Sequence, residues 1–488
     1  MASYDNFEGT RMVRISDWAN LHNQRAKLAF VDVDTDRDLR LFIDPYALEI
    51  RQDEWSRSCT DNLRSFFAEL VTALRQGNDQ RAYHLASHLR ETNETCLGYS
   101  VGRPQGRGIG ENQAADLIDA LRQSRAFQTG ILSDLSETAL FIPGIGSDKI
   151  SDLTTNIIRG PLLRFTQEQA ELWGMPLQDD VTMAPVWDST RADWVQGPRR
   201  SIVVQGRPIL LVPKHSVRFK LGLNAQEFYN QHMVVALQQE YLKAGQALVT
   251  VLKSGEKRVY KKDVKERHTG EKDRLAEFAY QHPDVLEQYK KLAGAKGALE
   301  DEELYRGFDE ADYALKLIDE LKAIQLGAES ATQYHKFCVG ALTFIFYPDL
   351  VNPRKEREID QGRKRIDIAF QNPGVSGFFE TALKSPQMRA IEIPIECKNY
   401  SKDAANPELD QLSGRFSHTR GFLGLLCSRS FKNRSRFIER CKDAASHRQQ
   451  YMIAVVDSDL IKWLKLIAEG KREQISVDLS SRYREITS

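Results

Sequence analysis

The sequence predicts an α/β protein in three parts. These are a mixed α/β region over residues 1–224, a charged helical connector over 225–326, and a mixed-sheet core flanked by helices over 327–488. Three observations carry this reading. Apolar residues recur at helical spacing in 61–76 and through the middle of the chain. They alternate with polar residues over 362–370 and 390–400, the signature of half-buried strands. The 488 residues also suffice for about three domains of roughly 150 residues each. Hydrophobic residues make up 41% and aromatics 9%, which excludes a largely disordered chain. No apolar run approaches the roughly 18 residues of a membrane span, and MASYDNFEGTRMV lacks the apolar stretch of a secretory leader. The six cysteines (59, 96, 338, 397, 427 and 441) form no CxxC pair, as expected of reduced thiols in a cytoplasmic protein.

In chain order, RLFIDP (Arg40 to Pro45) reads as a strand. Segment 61–76 reads as a helix burying Leu63, Phe66, Phe67, Leu70 and Leu74. SIVVQGRPILLVPKHSVRFK predicts two short strands around Gly206-Arg207. From Ala225 the chain is helical and charged to about Leu326, interrupted by a basic stretch from Lys253 to Arg274. The boundary to the last part falls near Gly327. Two glycine turns, Gly108-Ile109-Gly110 (within 106–121) and Pro143-Gly144-Ile145-Gly146 (within 140–157), resemble helix-hairpin-helix turns. Such turns bring a DNA phosphate against backbone N–H groups, although plain loops that end in a helix N-terminus are the commoner use of such glycines. Other constellations fail. Asp32, Asp34 and Asp36 mimic a calcium loop, but Arg37 stands where glycine is needed and Ile43 where a bidentate Glu belongs. His84 and His88 lie four apart without a third ligand, and no GxxxxGK[ST] loop occurs.

Charge is balanced overall, at 68 Lys and Arg against 68 Asp and Glu, but unevenly distributed. From Glu329 onward there are 26 basic and 20 acidic residues, leaving 42 against 48 in the remainder. Between Ser413 and Arg448 stand nine cations and only Glu439 and Asp443, which suits either a polyanion-binding face or a solvated helix.

The last part carries the chemistry. A helix (ATQYHKFCVGALTFIF) comes first. In GRKRIDIAF, Ile366, Ile368 and Phe370 alternate with Arg365, Asp367 and Ala369. In AIEIPIECKNY, Ile391, Ile393, Ile395 and Cys397 alternate with Glu392, Pro394, Glu396 and Lys398. Glu396 and Lys398 must then project from one face, and Asp367 joins them if the strands pair. Two carboxylates on neighbouring strands suit a divalent cation with oxygen ligands, and a lysine beside them can serve an attacking water. Asn406-Pro407 starts a helix that puts Gln411 and Arg415 on one face. GFLGLLC and YMIAVV read as further strands, with the basic helix Arg434 to Ala445 between them.

Asp367 followed by Glu396-Cys397-Lys398 resembles the PD-(D/E)XK, or restriction-endonuclease-like, nuclease superfamily over about 160 of the 488 residues. The order of helices and strands is similar to the α/β core of that superfamily. Ile366 stands where a proline is usual, and the QxxxY pair of some branches reads QxxxR here. The resemblance implies a Mg²⁺-dependent deoxyribonuclease, with Mn²⁺ as a substitute. Asp367, Glu396 and the Cys397 carbonyl would hold metal, Lys398 would assist the water and Gln411 would position it. Glu358 is favoured over Glu329 as the extra upstream carboxylate, while Arg363, Arg365 and Arg415 would contact phosphates. It further implies a homo-oligomer acting on DNA, in restriction or anti-phage defence, gated by the N-terminal region, a partner protein or a nucleotide signal. The alternative is a catalytically silent nucleic-acid-binding or scaffold component of a defence complex.

Overall fold

After a short helical turn at Ile15–Trp18, Asp44 and Asp53 start the first two longer helices of the N-terminal region. Asp44 accepts from Tyr46 N at 3.1 Å, with Pro45 in the first turn, and begins α1 (Pro45–Glu49). Asp53 accepts from Ser56 N at 2.9 Å and begins α2 (Glu54–Arg75). α2 therefore starts earlier than its apolar stripe suggests, because the cap decides where the first free N–H groups are satisfied. Leu63, Phe66, Phe67, Leu70 and Leu74 are all buried on it, as their spacing predicts. The computed structural model describes residues 14–21, 24–98, 111–132, 134–245, 247–355, 368–399 and 406–488.

The RLFIDP strand shrinks to Phe42–Ile43, paired antiparallel with Val217–Arg218. The expected hairpin near 206 forms between Arg199–Val204 and Arg207–Ile209. Gln205 and Gly206, both at positive φ, make the tight turn that matches strand twist. The connector is helical, as at Val234–Ala244, Lys272–Gln281, Pro283–Gly294 and Glu310–Ala323, and its basic stretch contains a two-stranded ladder, Thr250–Val251 with Lys257–Arg258.

The glycine turn at 143–146 leads into α3 (Ser147–Ile157), which α4 (Arg159–Trp173) follows. Lys272 Nζ fills the turn, donating to the carbonyls of Ile142 and Ile145 at 2.9 and 2.8 Å. α3 presents Asp148, Lys149 and Asp152 beside Glu91. The other turn, at Gly108–Gly110, lies outside the described residues. Burial pushes the Asp152 carboxyl up to about 7, against the hydrogen bond it accepts from Thr92 Oγ1 at 2.9 Å, and Asp148 adds to the rise. A carboxyl raised on folding favours the native state fully below its unfolded value, about 4, and loses that advantage as pH climbs through about 7. Asp152→Asn is thus expected to stabilise the protein by roughly 2 kcal/mol at pH 8 and by almost nothing at pH 4. Thermal melts at both pH values check it, and equal shifts would remove Asp152 as the cause.

The C-terminal part begins with α5 (Ala331–Phe346), whose bounds are those of the expected helix. A five-stranded mixed sheet follows in spatial order β1 (Val351–Arg354), β2 (Ile368–Gln371), β3 (Glu392–Lys398), β4 (Leu423–Ser428) and β5 (Tyr451–Val456). β1 and β3 each pair antiparallel with β2, whereas β3, β4 and β5 run parallel to one another. The parallel crossovers are α6 (Asn406–Ser413) and α7 (Arg434–Arg448). With 54% helix and this sheet, the protein is mixed α/β, as the sequence predicts. Among the described residues no helix is long and apolar enough to cross a membrane.

The N-terminal region covers the sheet edge at β1. Gln169 Nε2 of α4 donates to Pro353 O at 2.8 Å. Asn352 Nδ2 donates to Gln371 Oε1 at 2.9 Å and reaches Asp53 Oδ1 at 3.4 Å. Gln371 Oε1 also accepts from Trp55 N, and Arg354 pairs with Glu54 at 3.3 Å. An edge strand's open hydrogen-bonding groups are thereby covered by the same chain. Two buried lysines make further bolts. Lys27 pairs with Glu320 at 2.6 Å against α5, where Gly340 leaves room for its stem. Lys214 pairs with Asp301 at 2.5 Å between the rings of Tyr305 and Tyr347.

Candidate active site

β3 occupies the middle of the sheet, and its two faces differ. Ile393 and Ile395 are fully buried, and Cys397 continues their face. There Cys397 stands in register with Cys427 of β4. The thiols of Cys338 (on α5) and Cys427, together with burial, push the Cys397 thiol well above its ordinary value. The opposite face carries Glu392, Pro394, Glu396 and Lys398, as period-two alternation demands.

On that second face the Lys398 ammonium lies 2.5 Å from Glu396 Oε1, with side-chain exposures of 14% and 0%. Lys398 Nζ also donates to Gln411 Oε1 of α6 at 3.3 Å. Gly424 of β4 brings α6 this close, because a Cβ there would meet Leu412 Cδ1 and Pro394 O, each at 3.0 Å. Three of the residues picked from the sequence are therefore joined in one polar chain, carboxylate to ammonium to carboxamide.

The end of β3 is anchored as well. Asn399 Nδ2 donates to the carbonyls of Gln325 and Gly327 at 3.1 and 2.8 Å. Arg429 donates to Asn399 Oδ1 at 3.2 Å and pairs with Asp457 at 2.7 Å. At the other end, Glu392 bridges Arg354 and Arg420; burial pushes its carboxyl up while both cations oppose the rise. Glu392 was visible as a member of the Glu396 face, but its two arginine partners lie far off in sequence and gave no local signal.

Asp367, Glu358, Arg363 and Arg365 lie outside the described residues. Ile368, the residue after Asp367, stands opposite Ile395, the residue before Glu396. Arg415 departs from expectation. α6 ends at Ser413, so Gln411 and Arg415 do not share a helix face; Gly414, a poor helix former, follows the last turn. Arg415 is also buried, at 2% exposure, rather than presented at the surface. Part of the basic run is paired: Arg420 with Glu392 and Arg429 with Asp457 in partly buried positions, Arg434 with Glu485 and Arg448 with Asp410 at the surface. Among the described residues no group of three or more His, Cys, Asp or Glu could hold a metal ion.

Residues 20–224 match a family model described as a domain of unknown function (DUF8370). No curated protein and no solved structure matches the chain. The matched stretch ends well before β3, so the match bears on the region that covers β1 and not on the Glu396–Lys398 face.

Proposed function

We propose that the chain is a metal-dependent endonuclease hydrolysing DNA phosphodiester bonds, with its active site on β3. The observation that carries this reading is the Lys398 ammonium, 2.5 Å from Glu396 on one face of the central strand and backed by Gln411. A mixed sheet whose middle strand bears an ExK triplet is also what the resemblance to the PD-(D/E)XK superfamily implies. The donor set fits Mg²⁺, or Mn²⁺ in its place, since Glu396, Asp367 and the Cys397 carbonyl offer hard oxygen atoms. When bound, such an ion would polarise the phosphodiester and stabilise the charge that builds on it. Lys398 would orient and help deprotonate the water, with Gln411 holding the ammonium in place.

The complete burial of Glu396 favours a gated enzyme, in which the N-terminal region, a partner protein or a nucleotide signal controls access. By analogy with the superfamily, the setting is restriction or anti-phage defence, by a homo-oligomer in the cytoplasm. The test is plasmid cleavage in Mg²⁺, Mn²⁺ and EDTA, with wild type beside Asp367→Ala. Nicking or linearisation that needs the metal and disappears in the variant is the expected result. Cutting that survives Asp367→Ala would displace the active site. A wild type that binds DNA without cutting it, whatever partner is added, would favour the silent scaffold.

A further inference from the structure

A cleft of about 520 Å³ lies between the N-terminal region and the helical connector, away from β3. Its size falls in the range of small-ligand sites, about 300–1,000 Å³. The walls are pre-formed. Asp44, at the start of α1, accepts from Gly222 N at 2.9 Å as well as from Tyr46 N. Tyr289 accepts from Asn224 N at 2.7 Å and so fixes the opposite rim. Each of the two carboxylates in the lining already has a cation: Arg218 stands beside Asp44, and Lys296 pairs with Glu227 at 2.9 Å. Lys220 is exposed at the rim and makes no ion pair among the described residues, so the cleft lining carries one positive charge in excess.

A second observation points the same way. The helix that follows the cleft rim winds as a π-helix over Phe228–Met233 before becoming regular at Val234. Such wide turns cost helical hydrogen-bond geometry and recur at functional sites. This one sets Asn230 and Gln231 into the cleft lining. The Asn230 amide donates to Gln226 O at 2.8 Å, which holds the side chain at the cleft, while Gln231 is exposed. Carboxamides that both donate and accept match the edge of a nucleobase, and apolar Ile50 and Ala293 supply surface beside them.

We propose that this cleft binds a small phosphorylated ligand of nucleotide size, with Lys220 on the phosphate and Asn230 and Gln231 reading the base. The site is independent of the nuclease reading, and nothing in it draws on β3. The test is calorimetric titration of the full chain in EDTA with AMP, GMP, CMP, UMP, adenosine and inorganic phosphate. At least one nucleotide is expected to bind, and more tightly than adenosine or phosphate alone. Lys220→Glu is expected to weaken it about tenfold or more, and Gln231→Ala to weaken it less and to blunt discrimination among the bases. Lys398→Ala should leave the affinity unchanged. No binding by any of the four nucleotides would overturn the proposal. So would adenosine binding as tightly as AMP, or affinity that depends on Lys398 and not on Lys220.

Discussion

Lys398→Ala is expected to lower DNA cleavage by about a thousandfold or more, the loss that follows removal of a group stabilising charge at the reacting centre. The substitution has a second effect that separates chemistry from structure. Glu396 is fully buried and Lys398 Nζ lies 2.5 Å from it, so the alanine variant strands a carboxylate without its nearest cation. A divalent ion should then become the replacement counter-charge. The variant is expected to melt earlier than wild type without metal and to recover a larger share of its stability when Mg²⁺ is added. Glu396→Gln should lose both cleavage and the metal-dependent rise in Tm. Nicking rates and melts with and without Mg²⁺ read all of this. Wild-type cutting by Lys398→Ala would remove the lysine from the mechanism, and a Glu396→Gln variant that Mg²⁺ still stabilises fully would remove the carboxylate from the metal.

Lys214→Ala is expected to be the most destabilising single change outside the β3 face, at about 3–5 kcal/mol. Lys214 is almost fully buried and donates to Asp301 at 2.5 Å and to Arg25 O at 3.1 Å, with Tyr305 and Tyr347 presenting their rings to the ammonium. Its removal leaves a buried carboxylate. Burial already pushes the Asp301 carboxyl up with Lys214 in place, so without the lysine it would be protonated in the folded state over a wider pH range. A carboxyl raised further still favours folding below its unfolded value and loses that advantage as pH rises through its folded value, so the deficit of the variant should shrink toward acid pH. Lys214→Met with Asp301→Leu, which removes both charges and keeps volume, should regain most of the loss. Urea midpoints at pH 5 and pH 8 for the single and double variants decide the matter. A deficit independent of pH, with no recovery in the double variant, would mean that packing against the two tyrosines and not charge is what Lys214 supplies.

Elements with a strong apolar period were legible in the sequence. α5 and β5 have the bounds that their patterns suggest, and β3 carries its alternation intact, which placed Glu396 and Lys398 together. Gln411 was legible because the helix after β3 has a clear start at Asn406-Pro407. Its far end was not, because one glycine after Ser413 decided it and carried Arg415 inside. The basic run read as a surface, and Arg434 is exposed, but Arg429 is largely buried against Asp457, in an element that no local pattern connects to it. The same holds for the cover over β1. Polar contacts such as Asn352 with Asp53 leave no periodic trace, so the dependence of the sheet edge on the N-terminal region had no sequence signal.

That cover also governs the order in which the chain can be completed. The bond from Trp55 N to Gln371 spans 316 residues, and Asn352 reaches back 299 residues to Asp53. Loops of this length cost little more to close than moderately long ones, but closure must wait until the later partner exists and then search for the earlier one. During synthesis, the start of α2 emerges with its β1 and β2 partners still unmade. The sheet, for its part, closes onto a surface that was exposed for most of translation. The first helices are therefore completed only once the first two strands of the C-terminal sheet have been made.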